Sequence, residues 1–245
     1  MSLSDKSRMR DILRKNAVPW EPSPYLEPED SIFLRRRWES DAVRVIHQTL
    51  IAPGEREADR LAREGLHPEI STVFSFPTFQ RPWALWLVGE RKFGFSVVST
   101  QLYLARSNPD ASFPDGAEPS TPLDSENSQI SSYATKRVVA FPADLGAAVS
   151  EAWRQVLHQT RYPKESLFPC DGVTYHFTFH RHGQRPMAGK TWSPPESIPP
   201  GKLVVLSQAI HDFVWNKDSN DPFAIQAVEE SLKSLRGQLD LTESR

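Results

Sequence analysis

Apolar residues with a preference for strands concentrate in three segments of the first half of the chain, Thr72–Phe76, Trp83–Val88 and Phe93–Gln101. This pattern predicts β-strands, and the turn residues Gly89–Lys92 predict a hairpin between the last two. In the middle segment both sets of alternate residues are apolar. Successive side chains of a strand point to opposite faces, so this segment is predicted to be a central strand covered on both sides.

The second half of the chain predicts a strand–helix–strand–strand–helix unit between Lys136 and Trp215, the best-defined part of the sequence. Its helices carry apolar residues at three- and four-residue spacing, and its strands alternate. Asp221 and Pro222 then predict the start of a last helix, as its N-cap and first helical residue. The predicted elements are Arg137–Phe141, Ala143–Thr160, Val173–Arg181, Met187–Ser193, Pro200–Trp215 and Asp221 to about Leu239.

The N-terminal quarter has less regular patterns. Ser4–Lys15 has helical periodicity, which predicts a short helix. The prolines that follow predict an extended segment, so residues 1–30 are predicted to form an N-terminal arm. Ile32–Ile51 fits either a helix or two strands, and we favour the strands. Gly54–Glu64 predicts a short charged helix that ends at Gly65.

Residues 107–135 interrupt this pattern, because Asn, Asp, Ser, Pro, Gly and Glu dominate the segment. That composition predicts a long mobile surface loop, although a linker between two domains would look the same. The first half has strands without enough helix to cover them, and the second half has helices to spare. A single α+β domain, residues 1–245, accounts for both halves if a mostly antiparallel sheet crosses the loop and is packed by helices.

Composition narrows the class of protein. The 245 residues carry a formal net charge of −2, which offers no overall attraction to nucleic acid. No stretch approaches the roughly 20 apolar residues that span a bilayer, and the N-terminus lacks an apolar signal segment. Cys170 is the only cysteine, so no internal disulfide can form, and a reducing compartment is favoured. We therefore expect a cytoplasmic protein that makes no contact with a membrane.

Three histidines lie on the predicted strand Val173–Arg181 or just beyond it. His176, His180 and His182 share parity, so they would project from one face, opposite a row of aromatic residues. A His-x-His pair on a strand can bind one zinc ion, which would suit a metal-dependent hydrolase with a third ligand from another strand. A half-exposed strand with polar residues outward explains the same pattern without a metal. We favour that interpretation and expect no cofactor.

The remaining candidates each have a structural alternative. Arg35, Arg36 and Arg37 form a basic run beside a tryptophan, which could contact phosphate, but acidic residues flank it and a solvated strand edge is favoured. Trp192 precedes two prolines, a combination that suits partner recognition, although the ring could simply cap the core. Cys170 could act as a nucleophile beside a base, but its proline and glycine neighbours favour a turn.

The segments Asp171–Phe177 and Gly189–Pro194 read Asp-Gly-Val-Thr-Tyr-His-Phe and Gly-Lys-Thr-Trp-Ser-Pro, and Trp153 and Arg161 precede them. These residues resemble a group of uncharacterised proteobacterial proteins that share a "DG-TYHF … G-TWSP" pattern after a long helix. The resemblance extends from Val138 to Val214. It implies a bacterial protein, cytoplasmic or associated with secretion, and assigns no reaction. Immunity proteins, which neutralise a toxin from a neighbouring cell, include proteins of similar build.

These observations favour a non-enzymatic bacterial protein whose partner is another protein, and an immunity protein is one such role. The chain has no Gly-x-Ser-x-Gly, His-Glu-x-x-His or phosphate-binding loop motif. Carboxylates are plentiful, so acid–base chemistry is neither built nor excluded by the pattern. A metal-dependent hydrolase and a nucleic-acid-binding protein stay open as the two alternatives.

Overall fold

One antiparallel sheet runs through the part of the chain that the structure describes. A computed structural model describes residues 27–28, 50, 54–77, 82–106, 117–119, 130–161, 172–216 and 222–243. The strands are β1 (Glu27–Pro28), β2 (Glu69–Pro77), β3 (Trp83–Glu90), β4 (Gly94–Arg106), β5 (Ala117–Pro119), β6 (Ile130–Phe141), β7 (Val173–His180) and β8 (Met187–Trp192). Their order in the sheet is β1-β8-β7-β2-β3-β4-β6-β5, and all neighbours are antiparallel.

Helices lie on both faces of this sheet. They are α1 (residues 54–63), α2 (Ala143–His158), α3 (Pro199–Trp215) and α4 (Pro222–Glu243). The last three contribute to one hydrophobic core, on what we call the three-helix face. α1 and the helical residue Leu50 contribute to a smaller core on the opposite side, the α1 face. The predicted α+β class, with an antiparallel sheet packed by helices in a single-domain arrangement, is confirmed.

β3 is the central strand that its run of apolar residues predicts. Trp83, Leu85 and Leu87 are buried in the core of the three-helix face. The three residues between and after them are buried in the core of the α1 face. A strand covered on both sides needs apolar residues at every position, because each pleat direction meets a packed layer.

α1 approaches the sheet closely at Gly54. A Cβ atom added to this residue would lie 1.9 Å from the indole ring of Trp86, so only glycine fits. Thr100 donates a hydrogen bond from its hydroxyl to the carbonyl oxygen of Leu50, over 3.4 Å. The helix ends before Gly65, whose φ of +79° is the left-handed conformation that favours glycine, as its position predicts.

Prolines begin two of the helices on the three-helix face. Pro142 occupies the N-cap of α2, and Asp144 places a negative charge in its first turn, where it interacts favourably with the helix dipole. Pro199 and Pro200 begin α3, where their missing N–H groups cost no intrahelical hydrogen bond. These helix positions agree with the predicted ones to within two residues at each end.

The predicted loop over residues 107–135 needs correction at two places. Residues Ile130–Thr135 belong to β6, which pairs with β4 along all twelve of its residues, from Arg106↔Ile130 to Phe95↔Phe141. β5 is a three-residue strand within the same segment. Polar composition predicted a loop, whereas pairing with the long β4 supplies the backbone hydrogen bonds that make this segment a strand. The sheet therefore crosses the break between the two halves.

Several N-terminal predictions fall outside the described residues. They include the helix Ser4–Lys15, nearly all of the arm over residues 1–30, and the strands within Ile32–Ile51, of which the described Leu50 is helical. Within the arm, β1 pairs with β8 through Glu27↔Lys190 and Pro28↔Gly189.

Candidate functional site

β7 has the two faces that its pattern predicts, and His176 lies on the α1 face. Phe177 and Phe179 are buried in the core of the three-helix face. His176 is 9% exposed, and its ring meets the ring of Phe76 edge-on with 5.6 Å between centroids. His180 is exposed at the end of the strand. One histidine is therefore a packed core residue and the next a surface residue.

His182 lies beyond the end of β7, in the turn before β8, and is exposed. Its ring stacks on that of His67, with centroids 4.1 Å apart and 18° between the planes. A nitrogen lone pair lies in the plane of its imidazole ring, so two nearly parallel rings stacked 4.1 Å apart do not direct their lone pairs to one tetrahedral ion. Within the described ranges no three His, Cys, Asp or Glu side chains group in a way that could hold a metal.

Trp192 ends β8 and is half-buried. A Cβ atom at Gly172 would lie 2.6 Å from its indole ring, so the ring rests directly on that glycine. Beside it, the backbone N–H of Val173 donates to the Ser193 hydroxyl over 2.9 Å. The ring is thus fixed at the start of the β7–β8 hairpin. The other predicted candidates, Cys170, Arg35, Arg36 and Arg37, lie outside the described residues.

A polar cluster that the sequence did not single out lies where α3 crosses the sheet. His211 of α3 is 6% exposed, and its ring lies 4.8 Å from that of Trp83, centroid to centroid. The Nε2 atom of His211 is 3.0 Å from the amide nitrogen of Gln101 on β4. Its Nδ1 atom is 3.2 Å from a carboxylate oxygen of Asp212, which also accepts a hydrogen bond from Gln208 over 2.8 Å.

These contacts fit one tautomer of the neutral His211 ring. With the Gln101 amide oriented as in the structure, its nitrogen donates to Nε2, and the ring proton is then on Nδ1, which donates to Asp212. Burial lowers the pKa of His211 below its ordinary value, and the Asp212 carboxylate offsets part of that effect. Both ring nitrogens are engaged, so this histidine attaches α3 to the sheet and offers no free nitrogen for proton transfer.

The adjoining end of α3 is attached to β6 in a similar way. Arg137 donates hydrogen bonds to the carbonyl oxygens of Val214 and Trp215, over 3.3 and 3.2 Å, and its guanidinium lies 4.9 Å from the centre of a Trp215 ring. The indole N–H of Trp215 donates to the Ser99 hydroxyl over 2.8 Å. These contacts hold the three-helix face of β6 against the end of α3, with the Arg137 side chain itself exposed.

The opposite face of β6 is open. Lys136, Val138 and Ala140 all point to the α1 face and are exposed, with Val138 49% exposed. Val138 lies opposite the fully buried Val98 on β4, so the cover provided by α1 stops one strand short of β6. Another molecule can contact this exposed row of side chains without any rearrangement of the backbone.

The β3–β4 turn lies near one end of this row, because Phe95 at the start of β4 pairs with Phe141 at the end of β6. Its residues Arg91, Lys92 and Phe93 are exposed, with Phe93 at 60%. The turn is tight, because the backbone N–H of Phe93 donates to the carbonyl of Glu90 over 3.0 Å. We call the six exposed residues of the turn and the strand the β6 corner; they are Arg91, Lys92, Phe93, Lys136, Val138 and Ala140.

Comparisons with known proteins add no relative to this geometry. No protein-family model, curated protein or solved structure matches the chain. Among the described residues no helix is both long and apolar enough to cross a membrane.

The β6 corner carries more positive than negative charge. Three of its six residues are cationic. Arg91 contacts the carboxylate of Asp144, and Lys136 acts together with the stronger partner Arg60 to lower the pKa of Glu57 on α1. That pair, Arg91 with Asp144, is 3.5 Å apart, and both side chains are more than three-quarters exposed. Exposed ion pairs of this kind contribute about 0–1 kcal/mol, so Arg91 can exchange this partner for another at little cost.

Proposed function

We propose that this chain is a non-enzymatic protein that binds another protein through the β6 corner. The proposal rests on where the large exposed apolar side chains lie. Three large ones are exposed in the described part of the chain, and two of them, Phe93 and Val138, belong to this corner. The third, Phe223, begins α4.

An isolated exposed apolar residue is ordinary, but this pair has the composition of an interface. Phe93 and Val98, the partner of Val138, are five residues apart, which is about 17 Å along a strand. A standard interface of about 800 Å² on each partner covers that distance. Phenylalanine and arginine are enriched at such interfaces, and the exposed cations around them form a polar rim.

The rigidity of the strand supports the same function. The covered side of β6 is held by the contacts of Arg137 with Val214 and Trp215. A surface that is already ordered loses little conformational entropy when a partner binds, so more of the contact energy appears as affinity.

We further propose that this binding takes place in the cytoplasm, which the single cysteine favours. Toxin neutralisation stays a prediction about the partner's identity, and a toxin gene directly beside the gene for this chain would support it. The two alternatives, a metal-dependent hydrolase and a nucleic-acid-binding protein, have no arrangement of described residues in their favour.

Capture of the partner from the native cell tests the proposal. The full chain, tagged and expressed at its native level, is cross-linked and the bound proteins are quantified by mass spectrometry. We expect one stoichiometric partner, and we expect Val138→Asp and Phe93→Ser each to reduce its recovery about tenfold or more, as the loss of an interface anchor does.

Phe223→Ser is the matched control, because Phe223 is the remaining exposed large apolar residue of the described part and lies outside the β6 corner. It should leave capture unchanged. Equal recovery with all three variants, or no stoichiometric partner for the wild-type chain, would contradict the proposal.

A further inference from the structure

Among the described strands, half of β6 has no neighbour on one of its backbone edges. β6 pairs with β4 over its whole length, but on its other side it pairs with β5 only at Thr135, Ala134 and Tyr133. Within the described part of the chain, the outer edge of Lys136–Phe141 has no strand beside it. Every second residue of such an edge directs an unpaired N–H and C=O outward, which is a template for another strand.

We propose that the partner contributes an extended acidic segment, which adds a strand to the open half of β6. This inference rests on the proposed protein-binding function and gives its mode. The open half has room for about six residues, or roughly 20 Å of strand, before the added segment would meet β5. Main-chain hydrogen bonds would supply affinity, and the side chains of alternate residues would supply selectivity.

The charges on this edge identify the chemistry of the segment. Lys136 and Arg137 are both cationic, and no acidic residue occurs from Thr135 to Phe141. This segment is therefore positively charged, whereas the whole chain has a net charge of −2. Opposite charges directly across a strand pair stabilise it and like charges destabilise it, which favours an acidic segment over a basic one.

The exposed face of the edge adds an apolar contact. Val138 lies between Lys136 and Ala140 on the α1 face, so an added strand would place an apolar residue beside Val138 and an acidic one beside Lys136. On the opposite face, the contact of Arg137 with Trp215 holds the strand in place. The added segment is therefore expected to carry an acidic residue and, two positions away on the same face, an apolar residue.

Selection from a peptide library tests the chemistry of the segment. The full chain is immobilised and offered ten-residue peptides in which Asp or Glu stands two positions from an apolar residue, or in which Lys takes the acidic position as the matched control. We expect the acidic set to be enriched, and we expect Val138→Asp and Lys136→Glu each to weaken binding of the enriched peptides about tenfold, with Phe223→Ser unchanged.

Backbone methylation tests the strand itself. In an enriched peptide, the amides of alternate residues are N-methylated, first in one set and then in the other. A peptide strand directs the two sets to opposite edges, so methylation of one set should abolish binding and methylation of the other should be tolerated. A contact through side chains alone would respond equally to both sets, and this outcome would overturn strand addition.

The remaining outcomes separate this inference from the proposed function. A native partner that is captured in a corner-dependent way, together with a library that yields no acidic peptide, overturns strand addition and leaves protein binding in place. Dimerisation of the purified chain in light scattering, abolished by Val138→Asp, would show that the occupant is a second copy. That result would overturn the acidic segment.

Discussion

The Nε2 atom of His211 lies 3.0 Å from the side-chain amide nitrogen of Gln101, and this contact joins α3 to β4 across a separation of 110 residues in the chain. The amide can only donate, so it requires an unprotonated Nε2. A proton added there would place two donors against each other inside the core. The relationship makes the fold sensitive to acid at one identifiable group.

We expect the free energy of unfolding to decrease as the pH is lowered through the range in which His211 titrates. The pKa of His211 is lowered in the folded chain, mainly by burial, whereas an unfolded histidine titrates near about 6.5. The unfolded state therefore takes up the proton first. The stabilisation is complete above about pH 6.5 and is lost as the pH falls from there through the lower pKa of the folded state.

Urea unfolding at pH 7.5 and pH 5.0 measures this effect. The wild-type midpoint should be lower at pH 5.0, and His211→Gln should show a smaller difference between the two pH values, because its side chain does not titrate. His158→Gln removes an exposed histidine at the end of α2 and should keep the wild-type difference. If His211→Gln also keeps it, other groups cause the acid sensitivity.

Two glycines give a second prediction, because one is packed against a side chain and the other has open space around it. Gly54→Ala should destabilise the chain by about 1–3 kcal/mol, because the new methyl group would overlap the Trp86 ring. Gly237→Ala should stabilise it by about 0.5–1 kcal/mol, because Gly237 is helical and a Cβ there meets nothing within 4 Å. Chemical denaturation of both variants measures the two free energies. A Gly54→Ala chain as stable as the wild type would mean that α1 is not held against Trp86.

The central part of the fold could be predicted from local pattern. β3 has apolar residues at every position, and this feature alone places it in the middle of the sheet, covered on both sides. The first half of β6 could not be predicted in this way. Residues Ile130–Thr135 are mostly polar, and their strand conformation depends on β4, which lies more than 20 residues earlier in the chain. Local composition contains no information about such a partner.

The candidate site was less predictable than the fold, for the same reason. His211 interrupts the apolar stripe of α3, which is a visible signal, but Gln101 gives no sign in the sequence that it faces a histidine. Val138 and Val139 belong to the predicted strand Arg137–Phe141, and their pattern does not indicate which of them is covered. In the structure Val139 is partly buried against the core of the three-helix face and Val138 is exposed, because the core under α1 includes Val98 of β4 and no residue of β6. The exposure of Val138 depends on how far α1 extends across the sheet, and the pattern of apolar residues in β6 contains no information about that.

A buried hydroxyl pair links β2 to α2, and we expect its energy to be non-additive. Ser71 and Ser150 are fully buried, and their hydroxyl oxygens are 3.3 Å apart. Replacing either by alanine leaves the other hydroxyl without this partner, which should cost about 1–2 kcal/mol. Replacing both removes the two polar groups together and should cost less than the sum of the single variants. A double-mutant cycle in urea measures the difference, and strict additivity would show that the hydroxyls do not interact.

The last prediction concerns Val98 and Val138, which lie side by side on neighbouring strands and point to the same face. Val98→Asp should destabilise the chain by about 4 kcal/mol or more, because it places a charge in the core under α1, where Ala58 and Leu61 pack. Val138→Asp should change the free energy of unfolding by no more than about 1 kcal/mol, because water reaches that position. Thermal and urea unfolding of both variants test the contrast. A Val138→Asp chain that unfolds as readily as Val98→Asp would mean that the open face of β6 is covered after all, and its loss of partner binding would then report unfolding. Equal stability of Val138→Asp and the wild type is what allows that loss to be assigned to the β6 corner.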